Sequence, residues 1–315
     1  MNCKSLAVPP ARTCTPGSTG MSELPGAGTG KLRISSKLDP EHPLAARAPI
    51  ARFYTALVTG DLRSLQVLTE RYHQDVNLVF EISKNELQWQ VKSQASYGLS
   101  GLWALEERRE LSTPLCLAAR HGHPDCLRHL LRHGADPNLA PGGQGPLHEA
   151  CRAGHSDCVE LLLEYRAEPN LQSDEGMAPL HLCTTPDSLG DLRPHLTIQL
   201  LLNHGSQKIW PPAFVKVLKS CAAVPEVIEV LFNSYSQIPV SQEWAKAVPE
   251  EVFQQHQPFY ESLFGLAGTA RCLQHLCRST IRTNFGSKCH SLIPLLPVPK
   301  ALRDFLLLEP EGVVL

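Results

Sequence analysis

The chain has 315 residues, 43% hydrophobic and 19% charged, which is enough to bury a sizeable core in one large domain or two modest ones. Its 29 Lys and Arg against 31 Asp and Glu give a formal net charge of -2, so the sequence predicts no nucleic-acid partner. Its apolar runs, such as 161–163 and 306–308, are far shorter than the roughly 18 residues that span a bilayer, so no membrane segment is predicted.

The first residues also lack the basic start and continuous apolar stretch of a secretory signal, because prolines interrupt them early. Eleven cysteines is an odd number, and several lie inside helical patterns instead of framing short loops. Both features predict reduced thiols and a location in the cytoplasm or the nucleus.

Residues 1–45 are rich in Pro, Gly, Ser and Thr and poor in periodic apolar positions, so they are predicted to form a disordered tail. A helical segment follows at 51–79, with Ala56, Gly60, Leu65 and Leu68 spaced as in the units described next. The following stretch, 80–112, contains Trp89, Tyr97 and Trp103, and is too aromatic for a plain disordered linker.

Internal repetition dominates the middle of the chain. TPLCLAARHGHPDCLRHLLRHGADPNL starts at Thr113, GPLHEACRAGHSDCVELLLEYRAEPNL starts at Gly145, and APLHLC starts again at Ala178. In the first unit, Thr113 is placed to cap a short helix with Pro114 at its first position, and Gly122 is placed to end it. A second helix then carries one apolar stripe. Two such short helices cannot enclose a core alone, so the units must stack on one another.

These units resemble the ankyrin repeat. The resemblance predicts an all-α fold in which an ankyrin solenoid spans 46–240, with a degenerate repeat at 51–79, the insertion at 80–112 and full repeats at 113–144, 145–177 and 178–210. The third unit has six extra residues around Pro186 to Pro194, which suggests an internal shortening, for example through an alternative transcript. An eroded terminal repeat at 211–237 is predicted to shield the end of the array, and 241–262 is predicted to be a linker.

The C-terminal segment 263–315 follows a different pattern. CLQHLCRSTI places Leu273, Cys277 and Ile281 four residues apart, on one face of a helix with Leu276 beside them. IPLLPVPKALRDFLL then places an extended Pro-rich segment directly before another helix.

These residues resemble a SOCS box, which implies a small module of three helices. The resemblance implies Elongin C contacts by Leu273, Leu276, Cys277 and Ile281. It implies cullin contacts by Ile293, Leu296, Pro297, Val298, Pro299, Leu302, Phe305 and Leu306.

Ankyrin repeats before a SOCS box resemble the ankyrin repeat and SOCS box family. The implied function is that of a non-catalytic adaptor, which joins Elongin B, Elongin C and cullin-5 with its RING subunit and holds a target protein for ubiquitination and proteasomal degradation. One alternative is an ankyrin scaffold whose C-terminal module recruits no ligase. Another is an enzyme that uses the histidines and cysteines as metal ligands or as a Cys-His pair. Nowhere in the sequence, however, does a CxxC motif pair with a second CxxC or with an HxxxH motif. No cofactor or metal site is predicted.

In ankyrin proteins the exposed positions of each first helix and the hairpin tips form the concave surface. The resemblance therefore implies that the target protein, which the sequence does not identify, is contacted by Leu117, Arg120, His121, Gln144, Glu149, Arg152, Glu175 and Leu182.

Overall fold

The computed structural model describes residues 34–36, 47–93, 102–190 and 193–314. Most of the tail expected to be disordered lies outside these ranges. Its residues Ile34–Ser36, however, form a strand, β1, which corrects the prediction for that short piece. β1 pairs antiparallel with the chain at Phe80–Ile82, so backbone pairing orders three residues whose composition gave no sign of it.

Five helix pairs form the array, as the repeat pattern predicts. Each pair packs on the next through one continuous core, and a tight turn joins the two helices in every pair except the fourth. They are α1 (Arg47–Thr59) with α2 (Leu62–Gln66), α3 (Pro114–Arg120) with α4 (Pro124–Arg132), α5 (Pro146–Ala153) with α6 (Ser156–Glu164), α7 (Pro179–Leu182) with α8 (Pro194–Asn203), and α9 (Phe214–Cys221) with α10 (Pro225–Asn233).

Local hydrogen bonds explain where these helices begin. The Thr113 hydroxyl accepts a hydrogen bond from the Cys116 backbone N–H at 3.1 Å, which caps α3 as predicted. His148 Nδ1 accepts from the Gly145 N–H, and its Nε2–H donates at 3.1 Å to the carbonyl of Met177, which directly precedes the next repeat. One imidazole therefore caps its own helix and also bridges two repeats.

The turns within the repeats depend on glycine. Gly122 has a φ of 68°, and a Cβ at this position would lie 2.7 Å from the His155 ring. That ring donates from Nε2 to the Arg120 carbonyl at 3.2 Å, so the turn must stay clear for the bridge to form. Glycine at this position therefore satisfies both a left-handed backbone and a close approach between repeats.

The third unit is irregular in the stretch around Pro186 to Pro194, where its six extra residues predict a departure from the repeat pattern. α7 has only four residues, and a loop containing a 3-10 turn at Ser188–Gly190 leads to α8. The backbone therefore departs from the regular helix pair just after the first half of the unit.

The insertion is a β-hairpin, which the sequence analysis did not predict. Strands β2 (Phe80–Ser93) and β3 (Leu102–Ser112) pair antiparallel beside β1. At the base of the hairpin, the buried Phe80 ring lies 6.1 Å from the Phe53 ring of α1, which anchors the sheet to the first repeat. The fold nevertheless remains mostly helical, as predicted.

The segment 241–262, predicted to be a linker, is helical and packed, so that prediction was wrong. It contains α11 (Gln242–Ala247) and α12 (Glu250–Gln255) and most of α13 (Gln257–Gly265). Trp244 lies 4.9 Å from Phe214 between ring centroids, and Tyr260 is fully buried with its hydroxyl donating to the Ala222 carbonyl at 2.6 Å. These aromatic side chains supply enough apolar surface to extend the core beyond the last repeat.

Three helices and an extended segment form the C-terminal module. α14 (Leu273–Phe285), α15 (Cys289–Leu292) and α16 (Lys300–Leu306) enclose a small second core of Cys289, Ile293 and Leu306. The chain end then returns to the array, where Leu308 and Val314 join the main core. The Glu229 carboxylate of α10 accepts hydrogen bonds from the backbone N–H groups of Glu311 and Gly312 at 2.7 and 2.9 Å. No helix in the described ranges is both long and apolar enough to cross a membrane.

The glycine turns give a matched test of the bridge between repeats. Gly134 also has a positive φ, of 87°, but a Cβ there would meet nothing within 4 Å. We expect Gly134→Ala to lower the free energy of unfolding by about 1 kcal/mol through backbone strain alone, and Gly122→Ala to lower it by about 3 kcal/mol. Urea unfolding measures both losses, and equal losses would contradict the bridging role of His155.

Candidate partner-binding surfaces

The first half of helix α14 turns its apolar side chains outward. Leu273 is 76% exposed and Leu276 38%, and Cys277 is exposed beside them. His275, Arg278 and Ser279 on the same helix are buried. This is the reverse of an ordinary amphipathic helix, whose apolar stripe faces the core. We call Leu273, Leu276 and Cys277 the apolar face of α14. Ile281, predicted to join them, is only half-buried and packs against the small second core.

The buried side of α14 is fixed by a polar group that we call the His275 cluster: Asn233, Tyr235, Arg271, His275 and Arg278. His275 Nε2–H donates to the Tyr235 carbonyl at 2.8 Å, and Nδ1 accepts from Arg278 at 2.8 Å and Arg271 at 3.1 Å. Arg271 also donates to Asn233 Oδ1 at 2.7 Å. Burial, together with the charges of the two arginines, lowers the pKa of His275 to about 4, so the ring is neutral at neutral pH.

The arginines of this region contact aromatic rings and hydrogen-bond acceptors. The Arg271 guanidinium lies 4.8 Å from the Phe232 ring centroid, and the Arg278 guanidinium lies 4.0 Å from that of Phe305. Arg282 donates to Asn203 Oδ1 of α8 at 2.6 Å and to the Leu306 carbonyl at 2.8 Å. α14 is thus fixed to α8 and α10 of the array and to α16 of its own module.

The segment before α16 is extended, as its prolines predict. Leu296 has φ -66° and ψ 136°, and Pro299 has φ -54° and ψ 154°. The exposed side chains around it are Leu295, Pro297, Pro299 and Leu302, whereas Leu296 and Val298 are half-buried. Leu295 is 78% exposed and was missed by the sequence analysis, although the Leu295-Leu296 pair within a Pro-rich run is a signal that could have indicated it.

Three residues expected to contact the cullin are buried instead. Ile293, Phe305 and Leu306 are 0%, 4% and 3% exposed, so the prediction that they form a contact surface is wrong. Ile293 and Leu306 fill the second core, and Phe305 lies under Arg278. Their side chains pack behind the extended segment and help to hold it in position.

The predicted target-binding residues fall into three groups. Arg120, Gln144, Glu149, Arg152 and Glu175 line one groove of about 760 Å³ on the first-helix side of the array. His121 is exposed but does not line this groove. Leu117 and Leu182 are 1% and 4% exposed and belong to the core, so their prediction as contact residues is wrong. Their positions in the repeat face the neighbouring helices, because a short first helix buries most of its circumference in the stack.

The groove carries an excess of acidic groups. Its lining includes Glu110, Glu149, Asp174, Glu175 and Asp187 against Arg120 and Arg152. Arg120 pairs with Glu149 at 2.9 Å and also with Glu110, which holds these three side chains at one wall. A hydrogen bond from the Ser173 hydroxyl lowers the pKa of Glu175, which keeps that carboxylate ionised. We call this site the acidic groove.

The buried thiols do not have the properties of nucleophiles. Burial raises the pKa of Cys116 to about 11 and that of Cys158 to about 12, which leaves both thiols protonated at neutral pH. All nine cysteines in the described part of the chain are free.

Comparisons with known proteins agree with this architecture. The family described as Ankyrin repeats (3 copies) matches residues 99–173 and 115–210, and the SOCS box family matches residues 269–307. The chain is 41% identical to human Ankyrin repeat and SOCS box protein 18, over 84% of this chain and 88% of that protein. It is 27% identical to mouse Ankyrin repeat and SOCS box protein 16, over 82% and 86% of the two chains. Human Ankyrin repeat and SOCS box protein 10 is 40% identical over 38% of this chain and 26% of its own length.

The fold and these surfaces therefore define a helical-repeat protein that carries a C-terminal recruitment module. The chain belongs to the ankyrin repeat and SOCS box protein family. This membership supports the role of a substrate-recognition adaptor for a cullin-RING ubiquitin ligase, in the class of adaptor and scaffold proteins.

The alignment with the human relative is longer than this chain. It runs over 408 positions, more than the 315 residues of this chain, so the relative contains residues within the aligned region that have no counterpart here. If this chain is internally shortened relative to that protein, such a gap in the alignment is expected.

The His275 cluster can be tested by removing the ring. We expect His275→Ala to lower the free energy of unfolding by about 3 kcal/mol, because Arg271, Arg278 and the Tyr235 carbonyl lose buried partners. Gln274→Ala on the exposed side of the same helix is the matched control and should cost less than about 0.5 kcal/mol. Equal values for the two variants by urea unfolding would exclude a structural role for the cluster.

Proposed function

We propose that this chain recruits Elongin B, Elongin C and cullin-5 with its RING subunit through its C-terminal module, and presents a target protein bound by the array for ubiquitination and degradation. The observation that carries the proposal is the inverted helix α14, whose apolar face is exposed while its polar side is buried. A helix that only capped the array would bury its leucines. The free thiols are consistent with the reducing cytoplasm or nucleus, where we place this activity.

The apolar face of α14 is the proposed Elongin C site. Leu273 and Leu276 extend from the module next to Cys277, and covering a leucine side chain from water contributes about 1.5–3 kcal/mol. The His275 cluster holds the helix in one rotation, so little ordering entropy remains to be lost when a partner binds. The exposed leucines and the fixed rotation of α14 are both properties of a docking surface and not of a helix face packed into a core.

The extended segment at 296–299 is the proposed cullin-5 site. Pro297 and Pro299 are exposed and restrict the backbone to its extended form before binding. Leu295 and Leu302 add exposed apolar side chains on either side. A partner would therefore meet a preformed apolar strip next to the Elongin site.

The array would bring the target to the ligase by holding it in place. A tethered target has a high effective concentration near a ubiquitin carrier, and its lysines are presented in a limited range of directions. The acidic groove favours a target segment that carries Lys or Arg side chains, since five carboxylates line it against two arginines.

Recruitment can be tested with two sets of substitutions. The double variant Leu273→Ala and Cys277→Ala should lose co-purification of Elongin B and C, at a cost of about 2 kcal/mol for each truncated side chain at an interface core. Both positions are exposed, so the array should remain folded. Gln274→Ala with Thr280→Ala, at exposed polar positions on the same helix, is the matched control. Undiminished Elongin recovery by the first variant would rule out the ligase function and leave the scaffold alternative.

The second set addresses the extended segment alone. Replacing Leu296, Pro297 and Pro299 by Ala removes the preformed strip but leaves the apolar face of α14 unchanged. We expect Elongin recovery to persist and cullin-5 recovery to be lost. Cullin-5 recovery equal to that of the parent chain would show that the segment is not its binding site.

The target surface has its own test. Glu175→Lys with Asp187→Lys reverses two exposed charges in the acidic groove, whereas Glu160→Lys with Glu164→Lys reverses two exposed charges on the outer helix α6. Affinity purification with mass spectrometry should show binding proteins that the first variant loses and the second keeps, with equal Elongin recovery in both. If both variants recover the same proteins, the acidic groove does not bind the target.

A further inference from the structure

A cluster of metal-ligating side chains lies at the junction between the first and second helix pairs, away from the surfaces described above. Glu70 belongs to a π-helical turn, Val67–Arg71, that continues α2. His129 lies in the last turn of α4, and His133 directly follows the helix, four residues further along the chain. One ligand atom from each of the three residues lies within 4.8 Å of those from the other two. Imidazole and carboxylate are the ligands that Zn²⁺ and related ions accept together in proteins.

Hydrogen bonds fix the proton on each imidazole. Thr69 Oγ1 lies 3.0 Å from the Leu65 carbonyl oxygen and 2.7 Å from His129 Nε2; with the hydroxyl proton donated to that carbonyl, the hydroxyl oxygen accepts from His129 Nε2–H. His133 Nδ1–H donates to the His129 carbonyl at 2.8 Å. The lone pairs therefore remain on His129 Nδ1 and His133 Nε2. Metal-binding histidines usually make this type of outer hydrogen bond through the nitrogen that does not bind the metal.

The side chains differ in their freedom to move. His129 is buried and held by Thr69, whereas Glu70 and His133 are exposed. Ligand atoms of a tetrahedral zinc site lie about 3.3 Å apart, given metal-ligand bonds of about 2.0 Å. The atoms lie at most 4.8 Å apart, so the remaining gap is at most about 1.5 Å. Rotation of the exposed Glu70 side chain brings its carboxylate towards the imidazoles while His133 keeps its hydrogen bond to the His129 carbonyl.

We propose that Glu70, His129 and His133 bind a divalent transition-metal ion of the zinc type, with water as the fourth ligand. The ion would join the degenerate first repeat to the first regular one, since Glu70 and the histidines come from different helix pairs. The sequence analysis predicted no metal site because the two histidines look like ordinary positions of a repeat helix, and the carboxylate comes from another repeat. The site is independent of ligase recruitment.

The test uses the full chain, carrying a tag without histidines and with its exposed thiols capped by iodoacetamide so that they cannot bind the metal. Titration with CoCl₂ should give one equivalent of bound Co²⁺ with the visible spectrum of a tetrahedral site, and ZnCl₂ should displace it. Zinc at about 100 times its Kd should raise Tm by about 5 °C. If the capped chain does not bind either ion, the proposal is wrong.

Substitutions locate the site. Glu70→Gln and His133→Asn alter exposed side chains, so both variants should fold, and each should weaken Co²⁺ binding by at least about tenfold. His73→Asn is the matched control, because His73 is exposed, lies close to Glu70 in the chain and has a φ of 48° that Asn tolerates. It should bind Co²⁺ with the parent's affinity. Parent-like affinity in both Glu70→Gln and His133→Asn would overturn the proposal.

Discussion

The buried imidazole of His275 is the contact on which the arrangement of the two parts of the molecule depends. Its Nε2–H donates to the Tyr235 carbonyl beyond the last repeat, while Nδ1 accepts hydrogen bonds from two arginines of the C-terminal module. A buried ring with both nitrogens satisfied can occupy only one orientation, because any rotation leaves a polar atom without a partner. That orientation sets the rotation of α14 and so exposes Leu273 and Cys277 to solvent.

The same junction determines how a target and a ligase would be placed relative to each other. The sequence predicted a linker at 241–262, which would leave the module free to move, but packed helices and the aromatic contacts of Trp244 and Tyr260 fill this interval. The chain end adds a further connection through the Glu229 carboxylate. The acidic groove and the apolar face of α14 therefore belong to one continuous packed structure, which limits the positions that a bound target can take.

The sequence predicted the features that depend on local spacing. The cap at Thr113 and the glycine turn at Gly122 follow from short-range patterns, and the structure confirms them. Features that depend on distant partners were missed. Burial of Leu117 and Leu182 comes from neighbouring repeats, and the β-hairpin anchors through Phe80 to a ring on α1. The spacing of Leu273 and Cys277 showed that they share a face, but only the buried His275 on the other side shows that this face is exposed.

In this structure α14 is folded and fixed to the array without any partner. Hydrogen exchange of the free chain, followed by mass spectrometry, tests this most directly, because amides exchange only when their helix opens. We expect the amides of Leu273–Phe285 to be protected to the same degree as those of Pro225–Asn233. Exchange of Leu273–Phe285 at the rate of an unfolded peptide until Elongin B and C are added would contradict it.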